Sequence, residues 1–407
     1  MHQNNNKCHV YLWNKLVGTL VLVGSKIYFR YDETFNMEIS PLELKISKEQ
    51  KCVDLDFQYG LPGVFADSLP DGFGMEIIED YFSEYAPNMT PNVIDKLLFI
   101  GEVSLGALTY KPAYQVTHAN NIPIELNDIK QHKKNILAKK GYSSVRELID
   151  MYQSFSPSGG ARQKMIINYN PKNENFSIGS TQKDEVALIL KNDESIKKDD
   201  GRAGIIEYIY SQAAIKSGIN MTKCYLFKDE DGYSHFATQR FDIDNKGERM
   251  HAHTLAGLLN VDKAKRIDYL DFMRISNTEL DVPVEDIKEI YRRMVFNYIY
   301  NNHDDHLKNH SFLMDKKGNW QLSPAYDLTY NDKIGHRAMK LTINGKKSTN
   351  LSINDFKAVA MKYGIVEYMD IINKVKDSYT NYKMLVNELI PKEYDYDIEL
   401  YLQVKNI

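Results

Sequence analysis

Cysteine is scarce: the 407 residues hold three, Cys8, Cys52 and Cys224, far apart and without metal-ligand spacing. Such a set excludes a disulfide framework and suits a reducing compartment. Long apolar runs are missing as well. No stretch approaches the roughly 18 residues that a membrane span needs, and the opening MHQNNNKCHVYLWNK has no apolar core behind a basic start, so a cytoplasmic protein without membrane contact is expected. Strong charge of one sign is also lacking. With 51 Lys and Arg against 55 Asp and Glu, the net charge of -4 gives no electrostatic reason for the chain to coat nucleic acid by itself. Internal repeats and low-complexity linkers are absent too. What remains is an ordinary globular composition, 43% hydrophobic and 26% charged, long enough for two or three domains.

The chemistry concentrates between 291 and 330, YRRMVFNYIYNNHDDHLKNHSFLMDKKGNWQLSPAYDLTY. Asp304 and Asn309 stand as D-x-x-x-x-N, the spacing at which a protein-kinase catalytic loop presents a carboxylate to the substrate hydroxyl and an amide oxygen to magnesium. Asp327 supplies a second hard oxygen. It follows Leu322-Ser323-Pro324-Ala325-Tyr326, an apolar run ending in a Pro turn, which suits a strand and a loop that returns its carboxylate to a cleft. One Asn and one Asp match the preference of magnesium for few protein oxygens completed by phosphate. Alone, the same spacing also describes a polar loop capping the helix that ends near Tyr300.

Upstream, the pattern at 9–31 predicts a small β-meander with turns at Asn14-Lys15 and Gly24-Ser25. The Gly- and Pro-rich block 60–74 reads as a tightly specified structural turn, 91–99 as a helix and 106–112 as a strand. Five lysines between 125 and 141 fit a solvated helix face as well as an anion patch, and Ser144 with Glu147 forms a capping-box pattern. The segment 156–164, Ser156-Pro157-Ser158-Gly159-Gly160-Ala161-Arg162-Gln163-Lys164, lets backbone N–H groups approach phosphate and supplies positive charge, although paired glycines before a strand are also an ordinary turn. At 186–190 an apolar strand runs into Lys191, the grammar of a kinase lysine that reaches the α- and β-phosphates. An amphipathic helix from about Gly204 to Lys216 places Glu207 as its ion-pair partner. A strand-end lysine facing water and a favourable acidic residue in a first helical turn are the plainer alternatives. The segment 236–242 is extended, and helices are expected at 254–259, 269–275 and 283–300, the last burying Ile287, Ile290, Tyr291, Met294, Val295, Tyr298 and Ile299.

These parts occur in kinase order, and their wording resembles the HipA-type serine/threonine kinases, toxins of bacterial toxin–antitoxin pairs. The words are GLPGVFADSLPDGFG (60–74), GALTYKP (106–112), GGARQK (159–164), QRFD (239–242), HTLAGLL (253–259), NNHDDHLKN (301–309) and LSPAYDLT (322–329), which run through nearly the whole chain. The resemblance implies an α+β, two-lobed protein-kinase-like fold with a β-rich N-terminal subdomain at 1–125, a kinase N-lobe at 126–242 and a mostly helical C-lobe at 243–407. It implies ATP and Mg2+ as cofactors, Asp304 as catalytic base, Lys308 steadying the transferred phosphoryl group, and Asn309 and Asp327 as metal ligands. Lys191 and the loop residues Ser158, Gly159, Gly160, Ala161 and Lys164 would contact phosphates, and Gln239 and Phe241 would meet adenine through their backbone. Implied partners are a HipB-like helix-turn-helix antitoxin, through which DNA is reached indirectly, and a protein substrate, with aminoacyl-tRNA synthetases such as glutamyl-tRNA synthetase as family targets.

Two departures stand out. Pro157 occupies a place where the family carries its regulatory serine, so Ser156 and Ser158 are the candidates for autophosphorylation. Asp305 adds negative charge beside the presumed base, where it could repel a phosphate or cap the loop. His306 fits a structural role better than a metal role, because magnesium favours oxygen. A small-molecule kinase of the aminoglycoside or choline type shares the D-x-x-x-x-N loop and later Asp. A metal-dependent phosphohydrolase would instead need His303, Asp304, His306 and His310, with His251 or His253, around a transition metal.

Overall fold

Alternation at the amino terminus produces the first sheet. In KCHVYL, Cys8, Val10 and Leu12 point into the core while their neighbours do not, the period of a half-buried strand. The computed structural model describes residues 5–46, 51–53, 60–70, 72–113, 121–127, 164–191, 202–230, 232–244, 246–262, 265–330, 341–347, 351–390, 402–405 and 407. Strands β1 (Lys7–Leu12), β2 (Lys15–Val23), β3 (Lys26–Tyr31), β4 (Lys51–Val53) and β5 (Leu108–Lys111) form an antiparallel sheet in the order β4-β3-β2-β1-β5. The expected meander is there, with its first turn one residue earlier: Trp13 and Asn14 both take positive φ, 50° and 63°, as a type I′ turn requires. The block at 60–74 is more than a turn. It folds into the helix Gly63–Ala66 and enters a second helix, Phe73–Tyr85, through Gly72 at φ 48°. The helix Val93–Ile100 follows, started by an Asn92–Asp95 capping box.

A second antiparallel sheet runs β10-β11-β9-β7-β8-β6, built from β6 (Ile122–Ile124), β7 (Lys164–Asn170), β8 (Asn175–Ile178), β9 (Val186–Lys191), β10 (Cys224–Lys228) and β11 (Ser234–Gln239). Strand β6 pairs with β8 and so stands with this sheet, slightly ahead of the expected boundary at 126. The helix Ala203–Lys216 covers the sheet. Its sequence pattern suggests one wet face, but it is buried on most sides between β10–β11 and the long helix Tyr368–Leu389. A Cβ on Gly204 would come 2.5 Å from the Ser234 carbonyl oxygen, so only glycine permits this approach.

A third sheet, β12 (His251–Thr254), β13 (Ser311–Met314) and β14 (Trp320–Leu322), lies among the helices Leu255–Leu258, Tyr269–Thr278, Val284–Ile299, Ile353–Lys362 and Tyr368–Leu389. All seven apolar residues expected to face the core from Val284–Ile299 are buried, and so are Glu289, Arg293 and Asn297. The helix therefore buries far more than one stripe, and its polar residues serve the loops described below. Cys8 and Cys224 are buried free thiols, and burial pushes the Cys8 thiol up to about 12.

The amino-terminal sheet docks through polar contacts. Arg240 grips Asp242 at 2.9 and 2.6 Å, and the same carboxylate accepts from the Gly106 N–H at 2.8 Å. Trp13 donates to the Arg249 carbonyl at 2.7 Å, Arg249 donates to the Glu102 carbonyl at 2.6 Å, and His251 Nε2 donates to the Ile39 carbonyl at 2.8 Å.

Candidate active site

Lys191 ends β9 only 7% exposed, opposite Lys164 at the start of β7. An ammonium so placed needs compensating charge. Glu207 and Asp327 both accept hydrogen bonds from its Nζ, and Lys164 Nζ lies 3.9 Å from the other Asp327 oxygen. Burial works to raise the Asp327 carboxyl, yet Lys164 and Lys191, with His306 behind them, hold it well below the usual carboxylate range. Burial likewise opposes the Lys191 charge, and the two carboxylates overcome it, so Lys191 stays raised and protonated. The expected Lys191–Glu207 pair thus has Asp327 as its third member. Asp327 itself sits at φ 57°, a left-handed conformation that Asp tolerates better than most residues.

The approach to Asp327 is fixed from below. Asp286 accepts the Leu322 N–H at 2.7 Å, Arg293 donates to the Ser323 carbonyl at 2.7 Å, and the Ala325 N–H reaches the Asn220 carbonyl at 2.7 Å. Glu289 holds both Arg293 Nε and the Asn220 N–H at 3.0 Å. This explains why a helix read as an apolar stripe also buries charge.

The loop 301–310 begins where Val284–Ile299 stops. Asn301 takes φ 55° and the Asn302 N–H returns 3.0 Å to the Asn297 carbonyl, a Schellman-type termination. Asp305 is 1% exposed and accepts from His310 Nε2 and the Tyr269 hydroxyl, each at 2.7 Å, so its carboxylate is engaged within the protein. Asn297 bridges Tyr269 and Asn302 at 3.2 and 3.0 Å. The short turn Leu307–Asn309 follows, in which Asn309 Nδ2 donates to the Asp304 carbonyl at 2.8 Å. That bond engages the amide nitrogen, so the amide oxygen is the atom of Asn309 that could hold a cation. Asp304 is half-buried, and among the described residues its carboxylate has no hydrogen-bond partner. Tyr326 joins the two parts: its hydroxyl donates to the Lys308 carbonyl at 2.7 Å and its ring stacks on Phe241 at 5.1 Å, next to Asp327.

The remaining sequence candidates divide. Ser156, Ser158, Gly159, Gly160 and Ala161 lie outside the described residues. The Gln239 N–H is taken by the Lys223 carbonyl at 2.9 Å, and its carbonyl accepts from the Thr222 hydroxyl at 2.8 Å and keeps a second lone pair, so only the N–H is committed elsewhere. Among the described residues no partner takes the Phe241 N–H. Three of the imidazoles that the phosphohydrolase reading would draw on are engaged elsewhere, His310 with Asp305, His253 with Asp67 and His251 with Ile39. Among the described residues no three or more His, Cys, Asp or Glu side chains gather as a metal group. Sequence reasoning missed Tyr326 and Asp67; an aromatic directly before the presumed metal ligand was the only signal for the former.

Two family models match, "HipA N-terminal domain" over residues 8–111 and "HipA-like C-terminal domain" over 156–382. The chain belongs to the HipA family. Its fold agrees with a HipA from Shewanella oneidensis MR-1, whose structure was solved as a complex with HipB and operator DNA. The TM-score is 0.69 at 16% identity, over 97% of this chain and 95% of that one. A Haemophilus influenzae protein named "Putative kinase" is 27% identical over 183 residues, 41% of this chain and 52% of the relative. The chain thus spans about half the length of that curated relative. Within the HipA frame, the Lys191–Glu207–Asp327 cluster lies wholly in the C-terminal model, and Asp67 comes from the N-terminal one.

Proposed function

We propose that this HipA-family chain is an ATP- and magnesium-dependent serine/threonine protein kinase, the toxin of a toxin–antitoxin pair. The convergence of buried Lys191 on Glu207 and Asp327, from a strand, a helix and a distant loop, carries the reading. In a two-lobed kinase arrangement the sheet β10-β11-β9-β7-β8-β6 is the N-lobe floor and the helices after 243 form the C-lobe. Asp304 acts as catalytic base and takes the substrate hydroxyl proton, while Lys308 steadies the phosphoryl group in flight. Lys191 and Lys164 hold phosphate oxygens. The Asn309 amide oxygen and the ionised Asp327 are a donor set that suits magnesium. When bound, the metal and nucleotide supply the transferable phosphoryl group and neutralise its charge. Phe241, rather than Gln239, offers the backbone N–H for adenine.

The partner would be a HipB-like helix-turn-helix antitoxin, as in the Shewanella complex, with DNA engaged through it. The substrate would be a protein of the aminoacyl-tRNA synthetase class, and Ser158 or Ser156 would take an autoregulatory phosphate that weakens ATP binding by adding charge beside the phosphate site.

Labelled-ATP transfer together with Mg-ATP titration tests the residue roles. Asp304→Asn should bind Mg-ATP as the wild type does and lose about a hundredfold or more in rate, as removal of a positioned base demands. Asp327→Ala should weaken magnesium-dependent binding itself. Wild-type transfer by Asp304→Asn would overturn the assignment.

A further inference from the structure

The glycine-rich block at 60–74 and the word HTLAGLL lie far apart in sequence and meet in the structure through one buried carboxylate. Asp67 Oδ2 accepts from His253 Nδ1 at 2.7 Å and from the Thr254 N–H at 2.8 Å, and Oδ1 accepts from the Thr254 hydroxyl at 2.8 Å. The Thr254 hydroxyl in turn caps the helix Leu255–Leu258 through the Gly257 N–H at 2.9 Å. The next residue carries the contact onward. The Leu255 N–H donates to the His310 carbonyl at 2.8 Å, and His310 Nε2 holds Asp305, the neighbour of Asp304, at 2.7 Å. Leu255–Leu258 also packs against the turn Leu307–Asn309. A path of hydrogen bonds and adjoining backbone therefore runs from the amino-terminal domain to His310, at the end of the loop that bears Asp304, Lys308 and Asn309, and through its ring to Asp305 in the middle of that loop. The Lys308 ammonium is near enough to stabilise the Asp67 carboxylate electrostatically.

Close packing supports the same path. A Cβ on Gly63 would stand 2.0 Å from the Gly257 carbonyl oxygen, and one on Gly257 would stand 2.3 Å from Asp67 Oδ2. Those distances put the backbones of Gly63–Ala66 and Leu255–Leu258 in direct contact, an approach that a side chain at either glycine would prevent.

We infer that Asp67 is a positioning residue for the catalytic loop, so that the amino-terminal domain sets the geometry of phosphoryl transfer without touching nucleotide. The inference rests on the kinase reading for its kinetic consequence, but its structural consequence can be read without catalysis. Lys191, Glu207 and Asp327 reach their places through other elements. Loss of the Asp67 carboxylate should therefore act on turnover and spare nucleotide affinity.

The test compares full-length wild type, Asp67→Asn and Asp95→Asn. Asp95 is a buried carboxylate of the same domain that caps its own helix, so its variant reports generic damage to that domain. Hydrogen exchange is measured over 301–310, 255–259 and 186–191, alongside kcat and KM for ATP. For Asp67→Asn the expected result is exchange at least tenfold faster at 301–310 and 255–259 but unchanged at 186–191, with kcat down tenfold or more and KM for ATP within about threefold. Asp95→Asn should leave exchange at 301–310 and kcat as in the wild type. Unchanged exchange at 301–310 in Asp67→Asn overturns the inference, as does an equal effect of Asp95→Asn. If the wild type transfers no phosphate, the kinase reading falls, and faster loop exchange in Asp67→Asn still upholds the positioning role. Should Asp67→Asn fail to fold, Thr254→Val, which removes one of the same hydrogen bonds, must reproduce the exchange pattern or the inference falls.

Discussion

Lys191 shows how much one residue reveals and withholds. An apolar strand running into a lysine was legible, and so was an acidic residue in the next helix, because both follow local periodicity. Joining them to Asp327 was not, because the ion pair closes between residues 136 apart in sequence and only packing decides it. The structure makes the charge balance testable. Lys191→Met breaks the buried ion pair with the Glu207 carboxylate, 3% exposed in its side chain, which costs about 3–5 kcal/mol. Asp327 gives this cost a pH dependence. Its folded pKa lies below its unfolded value, so its contribution is full above about pH 4 and is lost as the pH falls through the folded pKa. Without Lys191 that depression is smaller. Urea unfolding at pH 7 should show wild type well above Lys191→Met, and the gap should close on acidification below about pH 4. A gap that stays constant with pH would mean that Lys191 contributes by packing rather than by charge.

Among the elements, those with a strong period were readable and those built by contact were not. The meander, the strand Val186–Lys191 and the helix Val284–Ile299 followed from alternation or from spacing of three and four. Gly63–Ala66 was hidden because four residues cannot display a helical period. Ala203–Lys216 was misread as amphipathic because its wet-looking positions are covered by Tyr368–Leu389, a partner chosen by tertiary structure. The glycines of the Gly- and Pro-rich block were visible without their reason. Gly63 is glycine because the helix Leu255–Leu258 presses its Gly257 carbonyl against it. Gly63→Ala should therefore destabilise the protein by about 1–3 kcal/mol or more, as overpacking does, whereas Gly24→Ala tests a glycine with nothing nearby and a left-handed φ of 62°. Thermal melts of the two separate steric crowding from backbone strain: Gly63→Ala should be the more damaging, and equal losses would mean that the helices part without cost.

Across the whole molecule, the words that marked the family do two kinds of work. NNHDDHLKN and LSPAYDLT build the site, whereas the block at 60–74, GALTYKP, QRFD and HTLAGLL fasten the amino-terminal sheet to the rest through Asp67, Gly106, Asp242 and Thr254. Kinase grammar could locate the first set, but nothing local reveals a docking surface. His251 makes that surface sensitive to acid. It is fully buried, donates Nε2–H to the Ile39 carbonyl, and lacks a partner for Nδ1 among the described residues. Burial, helped by His253 and opposed by the Asp67 charge, lowers it to about 3 from an unfolded value near 6.5. Between those limits the unfolded chain binds a proton that the folded protein refuses, so stability falls as the pH drops below about 6.5. One such histidine costs on the order of 2 kcal/mol by pH 5. His251→Gln can keep the hydrogen bond to Ile39 and cannot ionise, so it should flatten this part of the profile. Urea midpoints from pH 7.5 to 5 should decline more steeply for wild type than for His251→Gln, and parallel profiles would show that the docked interface admits the charged ring.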